Sequence, residues 1–226
     1  MKTEKKLLKM FFSLAIWLAS SVGHVIAHKN ITVGNEPRPL VVVAIRGTAH
    51  IPGWITNMHA VFASGNDELG FNGAANMVRN NLKAYMTTHN IINPTVLITG
   101  HSKGASVSNV LAHKLNIGED TQLNVAPNKV YTYAFATVGV GKNITTNHQN
   151  IFNILNKYDY FTLYPPLFPD LPNSGNWGRH GLDGCVKMDD RSKKNVKPSH
   201  EMFTYMNWMD RQSSTLTWLE IENMLS

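Results

Sequence analysis

The stretch Thr95-Val96-Leu97-Ile98-Thr99-Gly100-His101-Ser102-Lys103-Gly104-Ala105-Ser106 constrains this chain more than any other. Thr95 to Thr99 is a short apolar, β-branched run, as a buried parallel strand requires. A five-residue turn of the form G-x-S-x-G follows, and then small residues that open a helix. The glycines at 100 and 104 leave room where a strand and a helix pass close together. A turn this tight holds Ser102 in a strained conformation and lifts its hydroxyl clear of the sheet, the setting in which a serine becomes a nucleophile. The five residues alone would arise by chance in roughly one chain in ten of this length. The strand before them and the helix after them carry the weight.

The rest of the chain supplies a matching frame. Leu40-Val41-Val42-Val43-Ala44-Ile45 reads as a central parallel strand buried on both faces. Residues 51–62 place Ile51, Trp54, Ile55, Met58, Val61 and Phe62 at helical spacing. Residues 72–90 form a second helix with Ala75, Val78, Leu82 and Tyr85 on one face, and the helix after Ser102 runs to about Leu115. Further strands are expected at Lys129 to Ala136 and Ile151 to Leu155. Pro165 to Gly184 reads as a long loop, and a terminal helix starts near Ser199. Strands alternating with helices imply an α/β fold with a mostly parallel sheet flanked by helices. No linker divides the chain, and 226 residues suffice for one domain with a full core.

Charge and cysteine content exclude several classes. The formal net charge is +6, carried in part by Lys2, Lys5, Lys6 and Lys9 and by Lys187, Arg191, Lys193, Lys194 and Lys197. These read as solvated runs that also favour an anionic membrane surface. No basic patch is interleaved with aromatics, so no nucleic-acid partner is expected. The single cysteine, Cys185, leaves no internal disulfide, and no Cys/His set has zinc spacing, so neither a metal nor a cofactor is implied. Asn30-Ile31-Thr32 and Asn143-Ile144-Thr145 match the glycosylation sequon, a match too short to carry weight alone.

Residues 1–39 admit two readings. Lysines precede the apolar stretch Phe11 to Ser21, and Val25-Ile26-Ala27 offers a small-residue cleavage site, as in a secretory signal. Alternatively residues 4–19 form an amphipathic helix and Gly23 to Ile31 an edge strand. The first reading implies secretion, the second a cytoplasmic or membrane-peripheral protein. No other stretch is apolar for long enough to span a membrane.

A serine hydroxyl needs a base to take its proton and an acid to orient that base. In this kind of fold the acid and then the histidine follow the serine along the chain. Asp159, just past an apolar strand in Asn156-Lys157-Tyr158-Asp159, stands where open α/β sheets place reactive groups. Asp170, Asp183, Asp189 and Asp190 read as surface charges. The histidines after Asp159 are His180 and His200, and both remain candidates for the base. His101 is expected to pack under the turn, and His113 and His148 at the surface or in packing. The backbone N–H of Lys103 is placed to bind a developing oxyanion, and Thr48, in Arg46-Gly47-Thr48 after the first strand, offers a second donor.

These residues, in order, resemble the class 3 lipases, the fungal-lipase-like branch of the α/β-hydrolases. The resemblance spans residues 40 to 210. It rests on Arg46-Gly47-Thr48 with Trp54 downstream, Gly70-Phe71 before a helix, Gly100 to Gly104, Asn156-x-x-Asp159 with Leu163 and Pro165-Pro166, His180-Gly181, and His200 with Tyr205. It implies an α/β-hydrolase-like single domain over residues 40–226 and a Ser102, Asp159, His200 triad with Thr48 and Lys103 as oxyanion donors. It selects His200 over His180, because the family's loop carries a non-catalytic histidine before the catalytic one. It also implies a serine hydrolase that cleaves carboxylic esters of lipids, acylglycerols or phospholipids, with transient contact at a lipid interface. Residues 51–62 then read as a lid or as a helix packed permanently on the core. Two departures stand out: Lys103, where the family has an uncharged residue, and Ala136 to Gly139, which lack its usual proline. A non-catalytic binding protein and an acyltransferase with the same triad are the competing readings.

Overall fold

The computed structural model describes residues 22–33, 36–47, 69–119, 123–163, 177–188 and 199–213. Its elements, in order, are β1 His24–Val33, β2 Glu36–Ile45, α1 Leu69–Thr88, β3 Thr95–His101, α2 Lys103–Asn116, β4 Val130–Phe135, β5 Gly141–Lys142, β6 Ile151–Asn156, β7 Trp177–Gly178, β8 Leu182–Val186 and α3 Met202–Ser213. Six strands form one sheet in the order β1-β2-β3-β4-β6-β8. All neighbours are parallel except β1, which runs antiparallel along β2 at the edge. The short β5 and β7 make a separate antiparallel pair.

Strand alternation divides the apolar residues between two layers. Val41, Val43 and Ile45 of β2, Val96 and Ile98 of β3 and Val130 of β4 face the first core, where α1 contributes Phe71, Ala74, Ala75, Val78 and Leu82 and α2 contributes Val107, Leu111 and Leu115. On the other face, Ile154 meets Tyr205 and Trp208 of α3, with Tyr133, Phe135 and Val186 packed against them.

This arrangement corrects the expectation that β2 is buried on both faces. Val42 is half-buried and Ala44 exposed, because among the described residues α3 covers the β4 and β6 end of the second face. Leu182–Val186 also departs from the expected loop: it is the sixth strand, parallel to β6. Leu-Asp-Gly-Cys-Val has almost no β-branched content, so its strand state comes from pairing rather than propensity. β1 answers the expected edge strand and pairs with β2 over ten residues, so residues 24–33 share the sheet. Residues 1–21, 51–62 and residues 165–176 of the expected loop lie outside the described residues.

The fold forces β2, β3 and α2 into near contact where the chain turns at Ser102. A Cβ added at Gly104 would lie 2.2 Å from the Ile45 carbonyl oxygen, and one at Gly100 would lie 2.5 Å from the Gly104 oxygen. Both obstacles are backbone and cannot rotate away. Gly104→Ala is therefore expected to destabilise the protein by about 3 kcal/mol or more, read as a lowered urea midpoint. An alanine variant as stable as the parent would show that β2 and α2 do not approach this closely.

Candidate active site

β3 delivers the chain to the turn and α2 carries it away. Ser102 sits between them at φ 57 and ψ −126, a region that side chains other than glycine rarely occupy. The surroundings hold it there. Its N–H donates to the Phe135 oxygen at 2.9 Å, and its own oxygen accepts the N–H of Ser106 at 3.1 Å, opening the helix. The strained turn expected from G-x-S-x-G is thus present.

Three side chains separated by 41 and 98 residues in the sequence converge here. His200 Nε2 lies 2.8 Å from Ser102 Oγ, and His200 Nδ1 lies 2.8 Å from Asp159 Oδ2. Ser102 is 5% exposed, and Asp159 and His200 are each 1% exposed. In this geometry a proton on Nδ1 is donated to the carboxylate and Nε2 accepts from the serine hydroxyl. Burial excludes water from the chain of hydrogen bonds and strengthens each of them.

Each member is positioned by its element. Asp159 follows the end of β6, and its Oδ1 accepts the Phe161 N–H at 3.0 Å at the start of a short 3-10 turn, Tyr160–Leu163. The Thr162 hydroxyl donates to the Asp159 backbone oxygen at 2.7 Å. Arg179 braces this turn from outside, donating to the Thr162 oxygen and, at 2.7 Å, to the Thr137 oxygen. His200 precedes α3 and is held by the donation of Asn156 Nδ2 to the Ser199 oxygen at 3.1 Å. The rings of Phe161 and His101 flank it, with centroids 4.7 and 5.2 Å from its own.

Tyr205 completes the support of Asp159. Its hydroxyl donates to Asp159 Oδ2 at 2.7 Å and accepts the Asn156 N–H at 3.1 Å. Burial first, and then the Asp159 carboxylate, hold the phenol protonated far above its ordinary range. Tyr205→Phe removes a bond to a charged group and orphans a buried N–H, which is expected to lower stability by about 1–3 kcal/mol. A several-fold fall in kcat at unchanged KM is expected with it, since the residue acts through Asp159. Equal kcat in a destabilised variant would leave Tyr205 a purely structural group.

His101 packs under the turn, as expected. It is half-buried, and its pKa is lowered to about 4 by burial first and then by the neighbouring His200. It is therefore neutral beside His200. Among the described residues its Nε2 has no hydrogen-bond partner. Lys103 is the first residue of α2, at the positive end of the helix dipole. Burial lowers the pKa of its ammonium group. Thr48 lies outside the described residues, but the segment leading to it passes Ser102. A Cβ added at Gly47 would stand 3.5 Å from Ser102 Cβ.

The other candidates lie elsewhere. His180 joins His113 and His148 instead, stacked on His113 at 3.7 Å between ring centroids. Asp183 is an exposed residue of β8 paired with Arg179 at 2.9 Å. Asp170, Asp189 and Asp190 lie outside the described residues. Two contributions had little sequence signal. Arg179 acts on backbone carbonyls, which no motif records, and the role of Tyr205 depends on α3 folding over β6.

The comparisons agree with this architecture. The family model for lipase (class 3) matches residues 42–168, more than half of the chain. The secreted mono- and diacylglycerol lipase 1 of Fusarium solani is 30% identical over 133 residues, covering 55% of this chain and 38% of its own length. The chain thus spans well under half of that curated relative. Among solved structures, the extracellular lipase LipA of Serratia marcescens is similar with a TM-score of 0.51 at 15% identity, over 84% of this chain and 34% of that one. The lipase of Rhizopus microsporus var. chinensis is similar with a TM-score of 0.47 at 17% identity, over 73% of this chain and 62% of that one.

Proposed function

The chain belongs to the class 3 lipase family, and from that premise we propose that it hydrolyses carboxylic esters of lipids with Ser102 as nucleophile, His200 as general base and Asp159 as the group that orients it. The observation that carries this reading is the buried chain Ser102 Oγ, His200 Nε2, His200 Nδ1, Asp159 Oδ2, with both links at 2.8 Å.

His200 takes the Ser102 proton as Oγ attacks the ester carbonyl. The tetrahedral oxyanion is held by the Lys103 N–H and by Thr48, which donors of this kind stabilise by several kcal/mol in a dry site. The C–O bond to the alcohol breaks, and His200 returns the proton to the leaving oxygen. Water then enters, loses a proton to His200, and attacks the acyl-enzyme; the acid leaves and Ser102 regains its proton. Asp159 keeps the imidazole in the required tautomer throughout.

The substrate class follows from the family together with the apolar surface beside His200. Phe203 is 72% exposed and Met202 and Met206 are each 49% exposed. They lie on the first two turns of α3, which begins two residues after His200. An apolar rim next to a sheltered nucleophile suits a substrate that arrives from a lipid surface. The Fusarium relative, named for mono- and diacylglycerols, favours acylglycerols over phospholipids. Among the described residues no helix is long and apolar enough to cross a membrane.

A panel of triacylglycerol, diacylglycerol, phospholipid and soluble p-nitrophenyl esters tests the reading, with a serine-directed fluorophosphonate probe beside it. Labelling at Ser102 and release of fatty acid are expected. A folded chain that neither labels nor releases acid belongs instead to a non-catalytic binding protein. Transfer of the acyl group to an alcohol in place of water would make it an acyltransferase.

A further inference from the structure

Three histidines far apart in the sequence meet beside α2, on residues the triad does not use. His113 lies in the last turn of α2, His148 in the segment before β6, and His180 between β7 and β8. Ring nitrogens of the three, one from each, lie within 4.8 Å of one another. We propose that His113, His148 and His180 bind a divalent transition-metal ion of the zinc class.

The chemistry of the donors fits. Three imidazoles with no carboxylate or thiolate suit zinc and its neighbours rather than magnesium or calcium. The ligand must be the neutral imidazole. Burial, the largest cause at all three, lowers each of these pKa values, that of His180 to about 3, with His113 and His148 adding to it. Burial thus favours, at all three rings, the neutral form that a metal ligand needs.

The geometry is close to what an ion needs. His113 Nδ1 and His148 Nε2 stand 2.9 Å apart, against about 3.3 Å for two nitrogens on one tetrahedral zinc with bonds of about 2.0–2.1 Å. The pair opens by less than half an ångström, and the proton it shares moves to the far nitrogen of its own ring. His180 Nδ1 meets the Thr146 hydroxyl at 2.5 Å. An outer partner of this kind fixes the tautomer of a metal-binding histidine and leaves Nε2 to the ion. The His180 ring now lies parallel to that of His113, at 2° between planes, and rotates out of the stack to aim that lone pair. A cavity of about 330 Å³, lined by His113, His180, Lys114 and Glu119 among others, has room for a water as fourth ligand.

The backbones carrying the three rings are held by polar frames. The His180 carbonyl accepts from Asn109 at 2.8 Å and Asn153 at 3.0 Å, and its N–H donates to Asn109 at 3.1 Å. Asn116 of α2 and Asn150 exchange two bonds at 2.9 Å, fixing the chain two residues after His148. A bound ion would clamp both connecting segments to α2.

The test uses the untagged full-length chain, stripped with a chelator, dialysed and titrated with Zn²⁺ by calorimetry, with metal content and melting temperature measured in parallel. One equivalent per chain and a rise in melting temperature of several degrees are expected. Co²⁺ in its place should give the visible absorption of a tetrahedral site. His148→Ala and His113→Gln should each lose the equivalent, while His28→Ala with His89→Ala, which removes a close histidine pair elsewhere, should keep it. Should His113→Gln fail to fold, His148→Ala in the connecting segment, checked by circular dichroism, decides alone. Wild-type protein without a stoichiometric zinc, or a folded His148→Ala that binds as well as wild type, would overturn the proposal and leave the three rings a packing cluster. Neither result bears on ester hydrolysis, which uses other residues.

Discussion

Ser102→Ala is expected to reduce ester hydrolysis by about 10⁵ to 10⁶-fold, the scale seen when the nucleophile of a serine triad is removed. The substitution deletes one oxygen and adds nothing. Alanine must adopt the same φ of 57 that serine already tolerates, so the strain of the turn is unchanged, and the hydrogen bond of residue 102 N–H to the Phe135 oxygen is kept. The fold should therefore survive, with circular dichroism and melting temperature close to wild type. Fluorophosphonate labelling should vanish with activity. A folded Ser102→Ala protein that hydrolyses short p-nitrophenyl esters at wild-type rates would remove Ser102 from the mechanism.

Asp159→Asn should cost on the order of 10⁴-fold in kcat, through the histidine rather than the serine. The amide has nearly the same shape, and its oxygen, in the place of Oδ1, can still accept from Phe161 N–H. Facing His200, however, an amide NH₂ donates to Nδ1 where a carboxylate accepts from it. The imidazole proton then sits on Nε2, which points at Ser102 Oγ at 2.8 Å and can no longer take the serine proton. Fluorophosphonate labelling should slow in parallel, while Ser102 remains in place. If the folded asparagine variant stays within about tenfold of wild-type kcat, Asp159 does not set the tautomer of His200.

The two variants test residues that differ in how much of their role is local. The strand and turn around Ser102 are written in a dozen consecutive residues. Apolar β-branched residues make β3, the two glycines admit α2, and the serine lies between them; short-range sterics decide all three. The same holds for α1, whose buried residues recur at helical spacing, and for β4 and β6. Asp159 was also legible, because a polar residue just past a buried strand has one place to go. His200 and His180 were not separable on such grounds. Both are histidines in polar stretches before or between elements, and the family's order of motifs, not local physics, favoured one over the other.

The tertiary structure separates them. The His180 backbone is fixed by Asn109 and Asn153, which directs its ring to His113 and Thr146. His200 lies under Phe161 and beside His101, at hydrogen-bond distance from both Ser102 and Asp159. Likewise β8 exists because β6 offers it an unpaired edge, not because Leu182 to Val186 favour a strand. The sequence by itself determined the α/β alternation, the elbow and the serine at its tip, since these depend on periodicity and sterics within a few residues. Only the tertiary structure decided which histidine meets Ser102, that Tyr205 and Arg179 support the acid, and that three other histidines gather beside α2. Those outcomes depend on contacts between residues 17 to 98 positions apart, made when packing brings the sheet edges and helices together.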